Sequence, residues 1–227
     1  MKGLKMMNKI QKMMSVLSCA LGFSKATTNP EDIKYVTVKD QHSVKPQVLK
    51  TKTQRLTFPL SNEDWEDIKA LESKYDNEKN CAGLAAPQIG IGKAITVFAL
   101  PLTEEIKKRR PDCVQGMEKQ IWVNPIYIPI EEAGKKEDYE GCFSVTDVAG
   151  PVSRWNKIRY EAYKPTGEKL EGIAEGFLAR IMQHEIDHLN GILCIDLVPE
   201  GKTLPLEELK KRFSERAKQA EAQEKEK

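Results

Sequence analysis

Apolar residues recur along this chain with two different periods, and each period marks a region. Between Ser61 and Glu78 they fall at Trp65, Ile68, Leu71 and Tyr75, at steps that place them on one face of a helix. Ser61 or Asn62 can cap its start, and Glu63, Asp64 and Glu66 enrich the first turn, so a core-facing helix is expected here. From Gly92 the period shortens. "AITVFAL" is a β-branched apolar run that reads as a strand, and "KQIWVNPIYIPI" alternates, with Pro125 and Pro129 expected to force edges or bends. "KIRYEAYKPTG" and "EKLEGIAEG" read as a hairpin about Lys164-Pro165-Thr166-Gly167. After Gly176 the helical period returns, with Phe177, Ile181, His184 and His188 on one face and Asn190-Gly191 suited to end the helix in a left-handed residue. The tail from Pro205 is helical by composition but loses its apolar stripe after Phe213, so a solvated or frayed end is expected. Residues 29–52 are polar and irregular, as in an arm or linker.

At 227 residues the chain suits one substantial domain with extensions. Its formal charge of +2 gives no argument for nucleic acid as a partner, and no basic patch interleaved with aromatics appears. The five cysteines, Cys19, Cys81, Cys113, Cys142 and Cys194, are odd in number and irregularly spaced, which fits free thiols better than a disulfide framework. Before residue 30 there are Lys2, Lys5, Lys9, Lys12 and Lys25 and no acidic residue, with the apolar run "MMSVLSCALGF" in between. This fits a short signal-like region or an amphipathic presequence, with Leu4, Met7, Ile10, Met14, Leu17 and Leu21 on one face. A later start at Met6, Met7, Met13 or Met14 is the plainer alternative, and the run is too short to span a membrane.

The chain has three histidines, and two of them lie in "QHEIDHLNG" at residues 183–191. Four residues apart on a helix, His184 and His188 can aim both imidazoles at one metal ion, and Glu185 can reach that ion's water as a general base. The bland alternative is two ordinary histidines on a polar helical turn. Gln183 and Asp187 would orient ligands or tie the helix to its surroundings. A catalytic site of this kind needs a third ligand. His42 lies far upstream in the arm, and Cys142 in "YEGCFSV" is the best placed, with Glu140 and Ser144 as polar support. Two rivals remain open: a zinc endopeptidase drawing its third ligand from Glu207 or Glu208, and a closed structural site in which Cys81 joins Cys142, His184 and His188. Cys113 and Cys194 sit in loop-like and strand-like contexts that suit inert thiols. In "CAGLAAPQIG", residues 81–90, small residues permit close approach and Gln88 can donate to an oxyanion; a tight helix-strand crossing would use the same residues. Phe177 and Ile181 suit the walls of an apolar pocket and ordinary core packing equally well.

Taken together, "GLAAPQ", "EGCFS" and "QHEIDHLNG" closely resemble, in this order, the three signature motifs of peptide deformylases. The resemblance covers roughly residues 48–200 and implies a catalytic domain there, an N-terminal extension over 1–47 and a charged C-terminal helix or tail over 201–227. It implies an α+β fold, with antiparallel strands packed around the central helix that carries the histidines and with a C-terminal helix. The implied activity is hydrolytic removal of the N-formyl group from the N-terminal methionine of newly made proteins, releasing formate. By the same resemblance Cys142, His184 and His188 bind the metal and Glu185 is the acid/base. Gln88 and the backbone N–H of Phe143 hold the oxyanion, and Gly83 sits beside the substrate. Iron(II) is the implied metal, with zinc, nickel or cobalt also compatible with one thiolate and two imidazoles. The implied partner is the nascent formyl-methionyl peptide, with the tail as a conceivable contact to the ribosome. The cytoplasm is the expected compartment, with organelle import or export through the N-terminal segment as the alternative. Two positions depart from the family pattern: Cys81 replaces a glycine in the first motif, and Phe143 replaces a leucine in the second.

Overall fold

The computed structural model describes residues 29–39, 46–79 and 81–225. The basic N-terminal segment with its helical reading, Cys19 and His42 lie outside these residues. Helix α1 (Asn62–Asn77) begins in a reciprocal cap, in which the Asp64 N–H donates to Ser61 Oγ at 3.2 Å and the Ser61 N–H donates to Asp64 Oδ2 at 2.9 Å. Ile68, Leu71 and Tyr75 are buried against Leu84, Ile95, Val97 and Val123. Trp65 departs from the expected face: it stays 38 % exposed, because the stripe that meets the sheet begins one turn later at Ile68.

Eight strands follow among the described residues: β1 (Gly83–Ala85), β2 (Ile95–Leu100), β3 (Met117–Pro129), β4 (Lys135–Cys142), β5 (Val145–Trp155), β6 (Lys157–Tyr163), β7 (Lys169–Glu175) and β8 (Leu204–Pro205). The larger sheet has the order β1-β2-β3-β6-β7 and the smaller β4-β5-β8, with every pairing antiparallel. The alternation on β2 explains how the larger sheet carries two cores. Phe98 and Leu100 join the cluster around Leu178, Ala179 and Met182, while Ile95 and Val97 face α1. Strand β3 is central rather than an edge. Its register shifts between Val123 and Ile126, and Asn124 takes φ 55° there, so Pro125 sits at a bulge where no ladder hydrogen bond is required of it. The Asn124 side chain secures this kink, accepting from the Leu56 N–H and donating to the Leu56 carbonyl, both at 2.8 Å.

Between β2 and β3 lies a short helix, α2 (Glu104–Arg109), capped by Thr103. Helix α3 (Gly176–Leu189) carries the histidine motif and ends at Gly191, whose φ is 74°. It is buried on nearly all sides rather than along one stripe, because the larger sheet covers one side and β5 of the smaller sheet holds the other. The Gln183 side chain makes that second link: it accepts from the Trp155 N–H at 3.0 Å and donates to the Trp155 carbonyl at 2.9 Å. The chain ends in α4 (Leu206–Lys225), which continues well past Phe213; residues 210–215 are exposed. The architecture is α+β, two antiparallel sheets about helix α3 with a C-terminal helix.

Candidate metal centre

One helical turn separates His184 and His188 on α3, and the end of β4 brings Cys142 to the same point. One ligand atom from each lies within 4.8 Å of the others, and Cys142 Sγ is 3.3 Å from His188 Nε2. A tetrahedral ion with metal–sulfur and metal–nitrogen bonds of about 2.3 and 2.05 Å would set those atoms about 3.6 Å apart, so the trio fits a divalent cation of that class. Glu185, on the adjoining face of α3, is buried, and its Oε2 has no hydrogen-bond partner. Burial is also the main reason its pKa is pushed up to about 7. An orphaned carboxylate oxygen beside three converging ligands is what a metal centre with an acid/base residue requires.

Gln88, from the short 3-10 turn Ala86–Ile89, closes one side. Its Oε1 accepts from the Ala85 N–H at 2.8 Å, which turns its amide nitrogen toward Cys142 Sγ at 3.5 Å. Phe143 follows Cys142 directly, so its backbone N–H adjoins that ligand, and the residue is 37 % exposed. Gly83 lies against Glu185: a Cβ there would be 2.6 Å from Glu185 Oε1. Phe177 and Ile181 lie two turns and one turn before His184 in the main core, with the Arg110 guanidinium 4.0 Å above the Phe177 ring.

Beneath the ligands is a buried charge network. His184 Nδ1 is 2.9 Å from Glu140 Oε2, and Glu140 also accepts from Arg154 at 3.0 and 2.9 Å and from Arg180 at 2.7 Å. Arg154 further pairs with Asp187, which accepts from the Tyr127 hydroxyl at 3.3 Å. Burial alone would raise the Glu140 carboxyl, but the His184 and arginine bonds outweigh it and hold it well below the ordinary range. Burial would likewise lower His184, yet the Glu140 bond raises it to about 9. His188 has no such carboxylate and stays neutral, pushed down by burial and by His184.

Relatives identify the scaffold that bears this centre. A sequence profile described as polypeptide deformylase matches residues 36–203. The chain belongs to that family. It is 53 % identical over 177 residues to "Peptide deformylase 2" of Rickettsia conorii, covering 77 % of this chain and 87 % of that protein. It is 41 % identical over 142 residues to "Peptide deformylase 2" of Ralstonia nicotianae, covering 61 % of this chain and 77 % of that one. Among solved structures, a Met-Ala-Ser-bound class I type b peptide deformylase from Acinetobacter baumannii superposes with a TM-score of 0.60 at 29 % identity, covering 73 % of this chain and 98 % of that one. As a deformylase, this chain is a metal-dependent hydrolase that removes the N-formyl group from new proteins.

Several neighbours of this deformylase centre escape a reading of the motifs alone. Arg154 and Arg180 are ordinarily surface residues, and the one available signal is Arg180, a lone basic residue in the apolar run "FLARIM" one turn before His184. Cys194 lies in a short 3-10 helix, Cys194–Leu197, not in a strand; its sulfur is within 4.8 Å of ligand atoms of Glu140 and His184, and it and Cys142 are both free thiols. Cys81 does not join the ligand group. Its thiol donates to the Gly83 carbonyl at 3.0 Å, and burial pushes its pKa up to about 12, so it stays protonated. Glu207 and Glu208 are committed on the exposed side of α4 to Lys210 and Arg212.

Proposed function

We propose that Cys142, His184 and His188 hold one divalent ion in this deformylase and that Glu185 is its acid/base residue. The observation that carries this reading is the convergence of the three ligand atoms beside the unpartnered carboxylate oxygen of Glu185. When bound, the ion lowers the pKa of its water from 15.7 toward about 7 and so supplies the nucleophile at neutral pH. Glu185, with a pKa of about 7 of its own, is poised to accept that proton and later return it to the leaving amine. Gln88 donates its side-chain N–H, and Phe143 its backbone N–H, to the oxygen that gains negative charge as the formyl carbon becomes tetrahedral. The turned amide of Gln88 supports its part. The products are formate and a free methionyl amine.

Gly83 leaves its backbone free beside the formyl-methionine, and Phe177 with Ile181 would wall the pocket for the methionine side chain. Residues 48–200 form the catalytic domain, flanked by the extension over 1–47 and the tail over 201–227. By the family resemblance we take iron(II) as the native metal; zinc, nickel and cobalt suit the same donors. Nascent formylated chains as substrate are consistent with the cytoplasm, with organelle import or export through the N-terminal segment as the alternative, and the charged exposed face of α4 is suited to meet the ribosome. Among the described residues no helix is long and apolar enough to cross a membrane.

The test is deformylation of formyl-Met-Ala-Ser together with metal analysis of protein purified without oxygen. Wild type should turn over with about one iron per chain. Glu185→Ala should lose at least about a hundredfold in kcat, as expected for a lost acid/base, with its metal retained. Metal binding that survives Cys142→Ala would overturn the ligand assignment.

A further inference from the structure

The polar arm ahead of the first helix is docked across both segments that carry the oxyanion donors. The Val36 N–H donates to the Gln88 carbonyl at 2.8 Å, and the Val38 N–H donates to the Ser144 carbonyl at 3.0 Å. One short extended stretch is thereby bonded to Gln88 itself and to the residue after Phe143. Val36 is buried in a cluster with Leu49, Val145 and Leu193 that Cys142 packs against. Tyr35, next to it, lays its ring parallel to that of Phe143, with centroids 4.8 Å apart and an interplanar angle of 3°. The Lys74 ammonium lies 4.4 Å from the centre of the same Tyr35 ring and is itself held by Glu78 at 2.6 Å. Phe143 lies in the two-residue turn between β4 and β5, its side chain 37 % exposed while Ser144 after it is fully buried. The Tyr35 stack holds the exposed Phe143 ring against the arm, and the Val38 bond to the Ser144 carbonyl holds the backbone of the same turn.

We propose that Tyr35 is a positioning residue for the deformylation reaction: stacked on Phe143 and tied through Val36 and Val38 to Gln88 and Ser144, it fixes the spacing between the two oxyanion donors. The inference rests on the assignment of those donors to Gln88 and the Phe143 N–H. It also gives Phe143 a use for its ring. A leucine at that position cannot stack, whereas a phenylalanine lets the arm grip the turn.

Full-length Tyr35→Ala, Tyr35→Leu and Tyr35→Phe, assayed with formyl-Met-Ala-Ser for kcat and KM separately and for metal per chain, test the idea. Tyr35→Ala and Tyr35→Leu should each lower kcat about tenfold with KM within about twofold, the pattern of misplaced transition-state donors. Metal content should match wild type, and Tyr35→Phe, which keeps the ring, should restore kcat. The leucine variant keeps apolar bulk, so it reports on stacking if the alanine variant fails to fold. Unchanged or raised kcat in Tyr35→Leu overturns the proposal, as does an effect confined to KM, a loss that follows metal content, or an equal loss in Tyr35→Phe. An inactive wild type would instead bring down the deformylase reading itself.

Discussion

At Gly83 there is no room for a side chain. A Cβ would sit 2.6 to 2.8 Å from three atoms of the Glu185 side chain, closer than real Cβ contacts come, and Glu185 is buried. Gly83→Ala should therefore displace the carboxylate and lower kcat about a hundredfold, because a shift near 1 Å is enough to spoil a proton transfer, while leaving the three ligands in place. Deformylation rate and metal content measured on the same preparation check this; a variant with wild-type kcat would mean that Glu185 does not work from this position. The motif residues were legible because their chemistry is rare and their spacing specific: His184 and His188 one turn apart, and Cys142 in a polar context. Gly83 was legible only as a small residue near substrate, since nothing in the order of amino acids says that its neighbour is Glu185. Glu140 stood out merely as polar support, and its partners Arg154 and Arg180 lie 14 and 40 residues away.

Helix α1 was readable from its cap and its stripe, and the cap makes a measurable contribution. Ser61 and Asp64 satisfy each other's backbone N–H groups, and Asp64 also accepts from Lys93 at 2.8 Å. The Lys93 and Ser61 bonds lower the Asp64 pKa from 3.8 to about 2. A depressed carboxylate stabilises the fold fully above its unfolded pKa and loses that contribution as pH falls through its folded one. Asp64→Ala should thus cost about 1 kcal/mol near neutral pH, seen as a lower melting temperature, and the gap to wild type should close between pH 4 and pH 2. A gap independent of pH would assign the effect to helix propensity rather than to the charge. Other elements were legible in kind but not in place. The proline-bearing run is a strand, as its alternation says, yet it is central because Asn124 takes a left-handed conformation and Pro125 occupies the bulge this creates. Trp65 shares the spacing of the α1 stripe but lies beyond the sheet, a matter of where the helix meets its partner.

At the scale of the molecule, the arrangement encloses α3 between two sheets and balances buried charge within that enclosure. Glu140, Asp187, Arg154 and Arg180 are all buried and paired, so they need no ion. The ligands differ. Without metal, His184 keeps its proton up to about pH 9 because of Glu140, and Cys142 is pushed up from the ordinary thiol range by the neighbouring Cys194 thiol and by burial. Metal binding near pH 7 must displace both protons, while His188 is already neutral. A histidine raised from 6.5 to about 9 stabilises the metal-free fold fully below pH 6.5 and ceases to do so as pH rises through 9. Both effects have the same sign, since raising the pH strengthens metal binding and weakens the metal-free protein. The difference in melting temperature between metal-loaded and chelated protein should therefore widen from pH 6 to pH 9. Free metal at a thousand times its Kd would stabilise the fold by about 4 kcal/mol, well within reach of calorimetry. Titration calorimetry at pH 7 in buffers of different ionisation enthalpy should find about two protons released per ion bound, as displacement from His184 and Cys142 requires. A constant melting gap with no proton release would mean that the ion binds elsewhere than at Cys142 and His184.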